Sequence, residues 1–338
     1  MEERNLTIAD IAQELGVSKT TVSRAMSGKG RIGEETRKRV QAYIEAHHYS
    51  PNVVAKGLAQ NKTFNLGLVL PGDYNIVELP FFQKCMMGIS RTASEAGYDV
   101  LLSIVTADRI TQLERAVTNR KIDGAILTRT LADDVPMRYL QESGVPFVAI
   151  GSTDDARTVQ IDNDHRGACG ELTGRLLDGG IRSLALIGGR EEFIVTKNRL
   201  LGFEDAFGKR PDWNGSRQTF LNVDTDREVE KIVEKLLKEQ TECIVCMDDF
   251  LCGCVLDVMQ TRQVSVPGQV QVVSFYDSSL LANRTPSVTS IRFDVEELGK
   301  MACGTLLKML DGEVAQGRTL LGYEVRMRES TKNFQRSY

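Results

Sequence analysis

Histidine is scarce in this chain: three residues in 338, two of them adjacent at His47 and His48. So few imidazoles leave no discernible Ser/His/Asp arrangement and no histidine-based metal set, because such sites use histidine as base or ligand. Phosphate-cradling glycine patterns are missing too. GLVLPG and LALIGGR lack the G-x-G-x-x-G spacing, and no G-x-x-x-x-G-K-[ST] loop occurs. No uninterrupted apolar run reaches the ~18 residues that a membrane span needs. The opening MEERNLT is charged, without the apolar core of a secretory signal. A cytoplasmic protein without a membrane partner is therefore expected, with no catalytic residues, no cofactor and no metal.

Cysteine, by contrast, is not lacking: four of the seven lie in ECIVCMDDFLCGC. The offsets put Cys243 and Cys246 on opposite faces of a strand, and Cys252 and Cys254 about 200° apart on a helix. They read as small core residues in a reducing compartment rather than as metal ligands. With 41% hydrophobic and 26% charged residues the chain is an ordinary globular protein, and its length calls for two or three domains.

Basic charge is also in deficit overall, with 42 Lys and Arg against 46 Asp and Glu, a net of −4. The deficit is uneven. Residues 1–62 hold 10 basic and 7 acidic side chains, so this short segment carries +3 and the remainder −7. A small cationic head on an acidic body suits a DNA-binding module attached to a regulatory domain, since phosphate attraction is local.

Within that head, TIADIAQELGVSKTTVSRAMS holds two helix signatures. Thr7 can cap a helix whose apolar face is Ile8, Ile11, Ala12 and Leu15, with Gly16 as terminator. Ser18 can cap a second in which Val22 and Ala25 face the first, leaving Lys19, Thr20, Ser23 and Arg24 outward. The pair makes a helix-turn-helix, and its outward set suits major-groove base edges. GKGRIG follows as a turn with Lys29 and Arg31 available to phosphates, and 34–47 is predicted as a third helix with the stripe Val40, Ala42, Tyr43, Ile44 and Ala46. Pro51 favours a short helix reaching Ala59, marginal unless it packs on a partner.

Residues 7–59 resemble the DNA-binding headpiece of the lactose/galactose-repressor family of bacterial transcription regulators. The resemblance is carried by A-x-x-x-G-V-S-x-x-T-V-S-R, by T-R-x-R-V in the third helix, and by Y-S-P-N-x-x-A-x-x-L. It implies a homodimer on near-palindromic double-stranded operator DNA. Lys19 and Thr20 match positions that select the operator, and Arg24 matches a base-contacting arginine. The hinge Tyr49, Asn52, Ala55 and Leu58 would lie at the minor groove, with Leu58 wedged between base pairs. Gly57 departs from the pattern, since glycine in a helix costs about 1 kcal/mol relative to alanine.

From Asn65 onward strand and helix patterns alternate, which predicts doubly wound parallel sheets. Two such cycles occur, the second starting after Ile161-Asp162-Asn163. This resembles the family's effector domain, a periplasmic-binding-protein-like α/β fold of two lobes. The implied fold is thus an all-α helix-turn-helix headpiece plus an α/β effector domain of two doubly wound parallel-sheet lobes. The expected divisions are a headpiece 1–49, a hinge helix and linker 50–62, an N-terminal lobe of 63–160 plus 291–320, and a C-terminal lobe of 161–290 plus 321–338.

Open α/β sheets bind ligands beyond the carboxyl ends of their strands. Those ends here are Asp73, Thr128, Arg129, Asp248 and Asp277, residue types that can pair with vicinal hydroxyls. The resemblance strengthens Arg199, Asp248 and Asp277 and adds Phe81 and Phe82 as aromatic walls. These eight are the candidate effector site, and a carbohydrate is the implied ligand. The function that follows is a transcriptional repressor of a carbohydrate-use operon. The alternative is a cytoplasmic sugar-binding or sugar-metabolising protein with an incidental helical domain at its N-terminus.

Overall fold

The computed structural model describes residues 6–28, 30–47, 49, 57–58, 60–73, 80–106, 109–315 and 317–332. They fall into two compact units, 1–63 and 64–338. In the first, α1 (Ile8–Glu14), α2 (Lys19–Ser27) and α3 (Glu34–Ala46) enclose a core of Ile11, Ala12, Val22, Ala25 and Val40. Thr7 opens α1 through a reciprocal capping box with Asp10. Ser18 caps α2 by accepting from the Thr21 N–H at 3.1 Å. Gly16 and Gly28 leave these helices at φ 63° and 69°, backbone that glycine adopts without strain. The stripe predicted on α3 is narrower than expected. Val40, Tyr43 and Ile44 face the core while Ala42 and Ala46 are exposed, because the three-helix core is wide enough for only one i, i+3, i+4 row.

The second unit begins with β1 (Asn65–Pro71), α4 (Pro80–Glu95), β2 (Asp99–Val105), α5 (Thr111–Thr118), β3 (Gly124–Leu127), α6 (Val135–Ser143), β4 (Phe147–Ile150) and β5 (Val159–Asn163). It continues with α7 (His165–Asp178), β6 (Ser183–Ile187), α8 (Ile194–Gly208), β7 (Ser216–Phe220), α9 (Asp226–Lys238), β8 (Cys243–Cys246), α10 (Asp249–Thr261) and β9 (Gln271–Ser274). The chain closes with α11 (Ser279–Ala282), β10 (Thr289–Phe293), α12 (Val295–Leu310), β11 (Arg318–Leu321) and β12 (Tyr323–Arg326). One sheet runs β11-β5-β4-β3-β1-β2 and the other β12-β10-β9-β8-β6-β7. Within the two sheets every described strand pairing is parallel except β10 with β12, which gives the second sheet an antiparallel edge.

The chain changes sheet a few residues later than expected. Ile161–Asn163 pairs in the first sheet, Ile291–Phe293 in the second, and Leu321 still in the first. The backbone completes a strand before it crosses, so all three crossings leave from strand carboxyl ends and those ends of the two sheets face each other. Strands buried on both faces read as unbroken apolar runs. Cys243 and Val245 lie in the core shared by the lobes, whereas Ile244 and Cys246 pack into the outer core of the second sheet. The helix expected over 112–122 ends at Thr118, after which Arg120 takes φ 49°.

Helices α4 and α12 touch backbone to backbone in the first lobe. A Cβ at Gly88 would lie 2.1 Å from the Glu296 carbonyl oxygen, and one at Gly299 would lie 2.3 Å from that of Cys85. Neither clash is with a flexible side chain, so the helices themselves would have to separate. Gly88→Ala should therefore cost about 1–3 kcal/mol, as overpacking does. A urea midpoint equal to that of the parent protein would show that the crossing has slack.

Candidate functional site

The headpiece presents one polar helix face. Lys19, Thr20, Ser23 and Arg24 are all exposed, with the α2 N-terminus held by Ser18. Arg24 lies along Gly30, where a Cβ would come 3.0 Å from its Cδ, and Gly30 has φ 92°. This glycine lets the turn after α2 wrap around the arginine stem. Arg31 is exposed beyond it. Tyr49 is half-buried against the headpiece core, which raises its phenol pKa through burial. Lys29, Asn52 and Ala55, also predicted to meet DNA, lie outside the described residues, as does most of the predicted hinge helix. Gly57 and Leu58 are helical, and Leu58 is 87% exposed. The Lys62 N–H donates to the Gly57 carbonyl at 3.0 Å, and the Lys62 carbonyl comes within 2.5 Å of where a Gly57 Cβ would stand. Glycine at 57 thus permits a tight turn that a larger residue would obstruct.

In the second unit the facing strand ends bring residues of both lobes together. Arg199, on α8, is 9% exposed and donates from Nη1 to the Met247 carbonyl at 2.6 Å. Its charge acts on Asp162, Asp248 and Asp249, and on the neighbouring His165 and Tyr276. Burial raises all three carboxyl pKa values above the ordinary one, against the pull of the guanidinium. Burial, then Arg199, holds His165 well below its usual value, so the imidazole is neutral and its 3.5 Å approach to Asp162 is not an ion pair. Several buried atoms here have no hydrogen-bond partner among the described residues: both amide atoms of Asn163, Nδ1 of His165, Nε of Arg199 and the hydroxyl of Tyr276. Leaving such groups unpaired costs about 1–3 kcal/mol each, so their concentration is unlike the rest of the core.

The first lobe supplies the opposite wall. Phe81 sets its ring edge-on to Tyr276 at 6.4 Å between centroids, while Phe82 is buried behind it. Asp73 and Arg129 are joined at 2.9 Å, and the Arg129 guanidinium lies 4.9 Å from the ring centre of Phe193 in the second lobe. Thr128 is at the expected strand end, but its hydroxyl donates to the Val69 carbonyl at 2.8 Å. One strap joins the lobes at this mouth. Leu131 and Phe193 form an antiparallel bridge flanked by Ala132 N–H to Glu192 at 2.9 Å and Ile194 N–H to Thr130 at 3.3 Å.

Asp277 is the predicted residue that the structure places elsewhere. Arg328 grips its carboxylate with two bonds, of 2.7 and 2.9 Å, and Ser290 adds a third at 2.8 Å. Tyr276, one position earlier in the segment that follows β9, is the residue whose ring meets Phe81 and whose hydroxyl feels the charge of Arg199. Sequence reasoning also passed over Asp162, Asn163, His165 and Asp249. A signal was present, because the polar run Asp162 to His165 interrupts an apolar pattern where the second cycle begins.

No metal-holding group of three or more His, Cys, Asp or Glu occurs among the described residues, and no described helix is long and apolar enough to cross a membrane. Comparison with known proteins agrees with both units. Residues 7–52 match the bacterial regulatory proteins of the lacI family, and 173–331 match the periplasmic binding protein-like domain. The chain is 29% identical over 312 residues to the HTH-type transcriptional regulator MalR of Streptococcus pneumoniae, covering 90% of this chain and 93% of that protein. It is 26% identical over 333 residues to catabolite control protein A of Staphylococcus aureus, covering 97% and 99%. Among solved structures, the lac repressor dimer bound to operator and an anti-inducer aligns with TM-score 0.79 at 21% identity over 97% of this chain and 99% of that one. A probable maltose operon repressor, malR of Staphylococcus aureus, aligns with TM-score 0.75 at 25% identity over 80% and 99%.

The Asp277–Arg328 pair yields a stability prediction. Burial alone would raise the Asp277 carboxyl, but Arg328 and Ser290 outweigh it and hold it below the ordinary value. A depressed carboxyl contributes stability above its unfolded pKa and loses it as pH falls through the folded one. Asp277→Asn should therefore cost about 3 kcal/mol at neutral pH by stranding the guanidinium, and the difference should shrink in acid. Urea unfolding across that range measures it; a deficit that is constant with pH would show that the pair is not the cause.

Proposed function

This chain belongs to the lacI family of bacterial regulatory proteins, and from that premise we propose that it is a cytoplasmic repressor of a carbohydrate-use operon, binding operator DNA as a homodimer. The regulator is not an enzyme in this reading; a sugar held between its lobes controls it. The observation that carries the proposal is the pairing of two features in one chain: a capped helix whose outer face is Lys19 to Arg24, and a cleft with buried, unpartnered polar atoms at the facing strand ends. The first suits base edges and the second suits a ligand with several hydroxyls. Relatives named as maltose regulators, and a structural neighbour described as a cellobiose complex at 24% identity, accord with a sugar. For the homodimer, the exposed edge of β2 carries Leu102 and Ile104, apolar side chains of the kind that interfaces cover.

The strap between Thr130–Ala132 and Glu192–Ile194 gives the ligand something to act on. A sugar that touches Phe81 and Tyr276 together changes the balance between lobe arrangements by its differential affinity for them, and a dimer can pass that change to paired hinges.

Two outcomes follow for DNA. The full chain should shift its own upstream DNA in a gel, and removal of 1–60 should abolish the shift; retention would end the proposal. Replacing Lys19 and Thr20 should change which operator is preferred, whereas Arg31→Ala should weaken all sequences alike and lower the salt slope by about one. An equal loss on every sequence for both sets would refute the division of roles. Leu58→Ala should reduce DNA bending and operator affinity while leaving dimerisation intact. Circular-permutation mobility reads the bend, and an unchanged bend would demote Leu58 to linker.

A further inference from the structure

The cleft described above has acidic side chains where an anion would have to sit. In α/β proteins the usual anion sites at strand carboxyl ends are the N-termini of the following helices, where unpaired N–H groups and the helix dipole meet the ligand. Four of the long helices that start at this level are closed by the chain's own carboxylates. Asp134 accepts from Met137 N–H at 2.9 Å on α6, and Asp164 from Gly167 at 2.8 Å on α7. Asp248 accepts from Leu251 at 2.8 Å on α10, and Asp294 from Glu297 at 3.1 Å on α12. The cations are committed as well. Arg129 is paired with Asp73, Arg190 with Asp224 and Glu192, and Arg318 donates to Gln160 and the Thr153 carbonyl. Arg199 acts on Asp162, Asp248 and Asp249, and Arg318 also acts on Asp162, so three carboxylates meet two guanidinium groups.

Building on the sugar-binding reading, we propose that this cleft selects uncharged polyhydroxyl ligands and rejects phosphorylated or carboxylated ones, with Asp248 and Asp249 as the residues that set the selection. Hydroxyls satisfy both kinds of group present: they donate to the carboxylates and accept from Arg199 Nε and the Tyr276 hydroxyl. The amide of Asn163 offers one donor and one acceptor side for the same purpose, and both are unpartnered. A phosphate dianion has acceptors only. Placed here it would meet carboxylates across a desolvated gap, and the start of α8, which has no side-chain cap, already gives its Ile194 N–H to the Thr130 carbonyl. Like-charge juxtaposition of this kind is a recognised means of discriminating against a competitor that otherwise fits.

The test uses the full chain and measures its thermal unfolding midpoint with glucose, maltose and cellobiose, each against its 6-phosphate at equal concentration. A ligand that binds the native state raises the midpoint by mass action. The expected result is a rise with at least one neutral sugar and a response at least about tenfold weaker in affinity for its phosphate ester. A phosphate ester that binds as well as its parent sugar overturns the selection while leaving the sugar-binding reading in place; silence from both classes overturns that reading and the selection with it. Asp248→Asn keeps a side-chain cap on α10 and removes one negative charge. The neutral-over-phosphate preference should fall by about tenfold in this variant and in Asp249→Asn. A preference unchanged in both would remove these residues from the role.

Discussion

The guanidinium of Arg199 is the group around which the second unit is arranged. It is nearly buried, anchored to the Met247 carbonyl at the end of β8, and surrounded by carboxylates from β5 and from the start of α10. Removing it would take away the cation that acts on all three of Asp162, Asp248 and Asp249, a larger penalty than the loss of one hydrogen bond. Its position depends on the crossings between lobes. Because the chain leaves each sheet from a strand carboxyl end, β5 of the first sheet delivers Asp162 and Asn163 to the place where α8 of the second lobe delivers the arginine.

The same geometry explains why aspartate recurs at these ends. Each helix that follows a strand needs its first N–H groups satisfied, and Asp134, Asp164, Asp248 and Asp294 do so with their own side chains. The caps are a folding requirement that carries an electrostatic consequence, since every carboxylate spent on a helix end also makes the cleft less hospitable to anions. Stability and ligand choice are therefore linked through the same atoms. The bridge at Leu131 and Phe193 adds a mechanical link, because the backbone of one lobe is hydrogen-bonded to that of the other beside the ligand wall.

The headpiece solves a different problem with less material. Among the described residues, five buried side chains and a ring of half-buried ones hold three helices, so the caps at Thr7 and Ser18 and the left-handed glycines at 16 and 28 matter in proportion. Such a small core suffices when the element's task is to present one rigid polar face. Its basic excess, set against an acidic body, keeps phosphate attraction on the part that carries the recognition helix.

Local chemistry was legible from the residues alone. The caps of α1 and α2, the alternation of strands and helices, and the opposite-facing cysteines of β8 follow from periodicity and side-chain bonding within a few positions, which is the range over which sequence speaks directly. The family resemblance extended that range to the two-lobed fold and to Arg199. Tertiary structure decided what depends on contacts between distant segments. It placed Tyr276 in the cleft and gave Asp277 to Arg328, a partner 51 residues away, although the two neighbours look equally suited in the sequence. It also brought Asp162 and His165 into the field of Arg199, because strand pairing carried β5 three residues beyond the expected lobe boundary. Tyr276 and Asp277 both lie beyond the last position of β9, so no strand alternation assigns them; Arg328 and Ser290 fix Asp277 and Phe81 meets Tyr276, and those contacts form only when distant segments come together.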